Sequence, residues 1–99
     1  MNFFPCIKAE DLTGLQKYVI PDEVIDTFDL PSIPSQFILL VANNVARDYG
    51  YENYGCLYDV VNSQVVFYIG TASLYITSLN GTTVTVSRGQ GTYMTAYYI

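Results

Sequence analysis

The chain has no histidine and no tryptophan, only two cysteines and only four basic residues. Each shortage removes a class of chemistry. Without histidine there is no Ser-His-Asp triad, no Cys-His pair and no imidazole ligand for a metal. Cys6 and Cys56 lie far apart and outside CxxC spacing, so no zinc site is expected. Without a secretory leader they read as buried thiols rather than as a disulfide. Four bases against nine acids give a formal net charge of −5 and a pI near 4.1. Such a chain cannot neutralise a run of phosphates, which excludes nucleic acid as a partner. Arg88-Gly89-Gln90-Gly91 is glycine-rich but lacks the lysine and the strand-to-helix setting of a phosphate loop. No cofactor and no metal is expected.

Charge of either sign is scarce at 13%, whereas hydrophobic residues make up 51%. Disorder needs the opposite balance. The longest apolar run, Phe37 to Ala42, falls far short of the ~20 residues of a membrane-spanning helix. Met1-Asn2-Phe3-Phe4-Pro5 has neither a basic n-region nor an apolar h-region, so no signal peptide is expected. The expected location is the virion or the cytoplasm of a host cell. A length of 99 residues suits one domain.

What is present divides into two kinds of text. Residues 1–59 hold all nine acids, all four prolines and three of the four bases. Residues 60–99 hold a single charge, Arg88, with seven Thr and four Ser. No linker composition separates them. The first half reads as short helices. Ala9 to Tyr18 is a weak candidate, with Gly14 inside it. Ile20-Pro21-Asp22-Glu23 is a helix start, with proline and acids in the first turn, and predicts a helix to Phe28 burying Val24, Ile25 and Phe28. Gln36 to Asp48 predicts the longest helix, stopped by Gly50.

The second half reads as strands: Cys56–Val61, Gln64–Ile69, Ser73–Ser78, Thr82–Ser87 and Thr92–Ile99, rich in β-branched and aromatic residues and split by turn residues. At the Asn80-Gly81 turn, a three-residue loop Leu79-Asn80-Gly81 pairs Ile76 with Val84 and Leu74 with Val86, and needs a left-handed Gly81. The expected inner face carries Val65, Phe67, Ile69, Leu74, Ile76, Val84 and Val86. Tyr68, Tyr75 and a threonine ladder take the outer face. The resulting fold class is α+β. Short N-terminal helices (residues 1–55) pack on a four- to five-stranded antiparallel meander (residues 56–99), which can curl into a partial barrel.

Two groups of residues stand out as contact candidates. An uncharged sheet rarely stands bare in water, because exposed strands normally carry charges against edge pairing. This points to a protein interface built from Tyr49, Tyr51, Tyr54, Tyr68, Tyr75, Thr83, Thr85, Arg88, Tyr93, Tyr97, Tyr98 and Ile99. The last strand is expected to extend a neighbour's sheet. Tyr-, Gly- and Asn-rich text at 49–55 is the composition of adaptable contact loops. The second group is Asp22, Glu23, Asp26 and Asp29, on one face of the expected helix. Carboxylate pairs can hydrolyse glycosides, but so short a domain offers little room for a cleft, and no enzyme is expected. The sequence thus points to a structural protein. A small bacteriophage-type virion component fits best: a capsid decoration, head–tail connector or tail subunit, binding copies of itself or other virion proteins. The alternative is a small acidic inhibitor of the anti-defence type, steered onto a basic host protein by its carboxylates. Neither reading involves nucleic acid or a membrane.

Overall fold

The computed structural model describes residues 14–24, 26–44, 52–70, 74–87 and 93–99. Eight strands run through them: β1 (Gln16–Val19), β2 (Thr27–Asp29), β3 (Phe37–Asn44), β4 (Glu52–Asp59), β5 (Gln64–Ile69), β6 (Ile76–Asn80), β7 (Thr83–Val86) and β8 (Met94–Tyr98). They form a five-stranded sheet in the order β1-β8-β3-β4-β5 and a three-stranded sheet in the order β2-β7-β6. Every pairing is antiparallel. The chain changes sheet after β1, β2, β5 and β7, so it is not a meander.

One core lies between the sheets. The large sheet contributes Ile38, Leu40, Ala42, Cys56, Tyr58, Met94, Ala96 and Tyr98; the small sheet and its approaches contribute Phe28, Leu30, Leu74, Ile76, Val84 and Val86. This is a two-layer sandwich of antiparallel sheets. Fully buried aliphatic side chains such as Ile38, Leu40 and Leu74 each contribute roughly 2 kcal/mol of transfer free energy.

The α+β expectation is therefore corrected: the described residues contain no α-helix. Phe37 to Asn44, expected as helix, is β3 at the centre of the large sheet. Its continuous apolar run reflects a strand with apolar neighbours on both faces. Ile38, Leu40 and Ala42 point into the core, and Phe37, Leu39 and Val41 point away. A short run of this kind has no periodicity that separates helix from strand. The Ile20–Phe28 helix is replaced by bends and β2 in the described residues; Val24 and Phe28 are buried as expected, and Ile25 lies outside the described residues. The Ala9–Tyr18 candidate survives only as β1, and residues 9–13 and 45–50 lie outside the described residues.

The five strands expected in the second half are all present, with β5 matching to the residue. Their faces differ because of two bulges. Leu57 pairs with Phe67 and Tyr58 with Val65, which leaves Val66 as an extra residue. The slip turns Val65 and Tyr68 toward the core side and Phe67 and Ile69 away from it. In the β6–β7 hairpin, Asn80 pairs with Thr83, Leu79 with Val84 and Ile76 with Val86. The loop is thus Gly81-Thr82, not Leu79-Asn80-Gly81. Gly81 has φ 63°, which suits the first central position of a type II′ turn. The irregularity between Ile76 and Ser78 lets both Ile76 and Leu79 reach the core.

Two polar details hold the turn end of the large sheet. Asp59 is nearly buried, and its carboxylate accepts the Val61 and Asn62 backbone N–H groups and the Asn62 Nδ2, at 3.0, 3.2 and 2.7 Å. These bonds brace a four-residue loop that ends on Ser63 with φ 54°. Tyr98, 1% exposed, keeps its buried hydroxyl satisfied by sharing a 2.7 Å hydrogen bond with Ser32.

Gly55 sits opposite Val41 in β4, and a Cβ there would collide with the Leu40 carbonyl. The obstacle is backbone of the central strand, which cannot rotate away. Gly55→Ala is expected to cost about 3 kcal/mol, at the upper end of overpacking, read as a lowered midpoint in urea unfolding. An unchanged midpoint would show that β3 and β4 are not this closely spaced.

Candidate interaction surfaces

The first surface is the face of the large sheet that points away from the core. Strand alternation puts Val19, Leu39, Val41, Leu57, Phe67, Ile69 and Tyr97 there, with Phe37 at one end and Thr95 between strands. Phe37 and Leu57 are buried, yet neither belongs to the core cluster between the sheets. Val19 is 57% exposed, and Leu39, Val41, Ile69 and Tyr97 are half-buried. The charged residues in this alternation are Lys17, whose ammonium lies 5.8 Å from the Tyr97 ring centroid, and Asp59, whose oxygens are taken up by its own turn. One sheet thus has two apolar faces, and the core explains only one.

The second surface is an open cleft of about 270 Å³ lined by Tyr18, Ile20, Pro21, Asp22, Glu23, Val24, Thr27, Phe28 and Asp29. It forms where the chain leaves β1, bends at Pro21-Asp22 and enters β2 on the other sheet. Three of the four acids singled out in the sequence meet here, not on a helix face; Asp26 is exposed but does not line the cleft. Asp29 accepts a 2.6 Å hydrogen bond from the Thr83 hydroxyl. Acidic residues lining one cleft together with a tyrosine form a setting that attracts a cationic group. Among the described residues no three His, Cys, Asp or Glu side chains are grouped to hold a metal.

The expected interface residues do not form one patch. Thr83 and Thr85 share the outer face of the small sheet with Thr27 and Asp29, a polar and largely exposed surface. Tyr68 is 48% exposed and meets Tyr75 edge to face at 5.6 Å across the gap between sheets. Tyr93 is 47% exposed. Tyr98 belongs to the core, and Ile99 is tied to β3 and its approach by backbone hydrogen bonds to Phe37, Ser35 and Gln36. Tyr54 stands opposite Ala42 in β4, while Tyr49, Tyr51 and Arg88 lie outside the described residues. The last strand is an interior one, paired on both sides by β1 and β3. It has no free edge for a neighbour's sheet, which corrects that expectation. The sequence reading missed the outer face of the large sheet. The alternation of Leu39 and Val41 with Ile38 and Leu40 was its only signal, and it was hidden by the helical assignment.

No family model, no curated protein and no solved structure matches the chain. The class defined by the fold is a two-sheet antiparallel β-sandwich.

Cys56 is a free thiol inside the core. Burial pushes its pKa from 9.0 up to about 11, partly offset by a backbone hydrogen bond at Ile76. The folded protein therefore keeps a proton that the unfolded chain releases above pH 9. The associated stability is complete below pH 9 and fades as pH rises toward 11. Unfolding free energy is expected to fall more steeply over that window in the natural protein than in Cys56→Ala. Peptide mapping after thiol labelling should find Cys56 modified only under unfolding conditions. Rapid labelling of Cys56 in the folded protein would contradict its burial.

Proposed function

We propose that the protein is a non-enzymatic assembly subunit that docks through the outer face of its large sheet. The supporting observation is that face itself: apolar side chains on all five strands, with Lys17, beside the Tyr97 ring, the one charge on it among the described residues that its own turn does not take up. A contiguous apolar face that the core between the sheets does not account for is a candidate protein contact, even though its side chains are mostly half-buried. The occupant is another copy of the chain or another subunit of the same assembly. A small virion component of bacteriophage type, whether capsid decoration, head–tail connector or tail subunit, suits a charge-poor sandwich rich in Tyr and Thr.

The acid-lined cleft favours a second reading, an acidic inhibitor that receives a lysine or arginine of a basic host protein. The two readings differ in their response to salt, because apolar docking is insensitive to screening and carboxylate steering is not.

Sedimentation of the full chain at low and high ionic strength separates them. The assembly reading expects oligomers that persist at both salt concentrations. It also expects Val41→Lys to yield monomers with an unchanged circular dichroism spectrum. A natural protein that stays monomeric at high concentration overturns it. So does a Val41→Lys variant that loses thermal stability without altering the oligomeric state, since the face would then be covered by other residues of the same chain.

A further inference from the structure

We propose that Asn80 is a site of spontaneous chemical modification, deamidating through a cyclic imide formed with Gly81. Asn80 is exposed at the end of β6, and Gly81 is exposed in the loop between the paired residues Asn80 and Thr83. The attacking atom is the Gly81 backbone nitrogen, which lies in the loop and outside the strand pairing. A side chain on the residue after an asparagine normally screens this nitrogen. Here there is none, and nothing stands within 4 Å of the place a Cβ would occupy.

The reaction needs only water. The Gly81 nitrogen, having lost its proton to solvent, attacks the Asn80 side-chain carbonyl carbon. A carbon–nitrogen bond forms, the bond to the side-chain amide nitrogen breaks, and ammonia leaves with a proton taken from solvent. Water then opens the ring at either carbonyl, leaving aspartate or isoaspartate at position 80. Overall, an amide and water become an acid and ammonia, with no change of oxidation state.

A second turn asparagine provides an internal contrast. Asn62 is also exposed, but its Nδ2 donates to Asp59 at 2.7 Å, and its backbone N–H donates to the other oxygen of the same carboxylate. Its side-chain amide is thus engaged, and the following residue, Ser63, carries a side chain that screens its nitrogen. Geometry therefore selects Asn80 over Asn62.

The product would disturb its neighbours. Asn80, Thr83 and Asp29 occupy one register row across β6, β7 and β2, and the Thr83 hydroxyl already donates to Asp29. A carboxylate at position 80 adds like charge to that row. Isoaspartate also lengthens the backbone at the residue that closes the hairpin.

The test is to incubate the folded full-length chain at mildly alkaline pH and to follow its peptides by mass spectrometry. The expected result is amide-to-acid conversion at Asn80 several-fold faster than at Asn62, with the product resolving into aspartate and isoaspartate forms. A rate at Asn80 no greater than at Asn62 overturns the proposal, as does conversion of Asn80 only after unfolding in urea.

Discussion

The insertion of β8 between β1 and β3 organises the molecule. Both edges of β8 are paired, and its alternate residues Met94, Ala96 and Tyr98 are buried to within 1%. The strand thus joins the early chain to its middle by backbone hydrogen bonds, and it also lays a row of core side chains against the small sheet. The backbone at Ile20 donates to Met94, and Ile99 is bound to Phe37 and the residues before it. Such pairings connect distant stretches of sequence. Antiparallel folds of this kind owe their stability to non-local contacts, which must overcome the entropy of closing long loops.

The charge-poor second half is managed by shape. Edge strands invite pairing with other chains, and proteins blunt them with charges, short length or bulges. The outer strands β1 and β2 are four and three residues long and carry Lys17 and Asp29. The outer strands β5 and β6 carry no charge, and each contains an irregularity in its pairing. The lack of charge at these edges therefore needs no partner to explain it. The apolar outer face of the large sheet is different, because no bulge or twist hides a face. This distinction moves the expected contact from the edges and the Tyr/Thr surface to the side chains of β3, β8 and β1.

The acids also acquire a different meaning in the fold. In the sequence, Asp22, Glu23, Asp26 and Asp29 have helical spacing and suggest one solvated stripe. In the structure, a bend and a change of sheet bring Asp22, Glu23 and Asp29 around one cleft and leave Asp26 outside it. The cleft and the apolar face belong to different parts of the surface, so a basic partner and an assembly contact are separable by charge screening.

By itself the sequence determined the alternation and turn chemistry of the second half. Runs of Val, Ile, Thr and Tyr broken by Asn-Gly, Asn-Ser and Gly mark strands, because those residues suit a pleated surface and those breaks suit reversal. It also determined that Gly81 is left-handed and that Cys56, Val24 and Phe28 are buried. Tertiary structure alone decided the rest. A proline-and-acid start signal favours a helix only when no sheet competes for the same backbone, and β7 competed for residues 27–29. The run from Phe37 to Ala42 became a strand because β4 and β8 stood on either side to receive its hydrogen bonds. Bulges, sheet order and the second apolar face depend on which strands become neighbours, and local propensity carries no information about a partner that lies far along the chain.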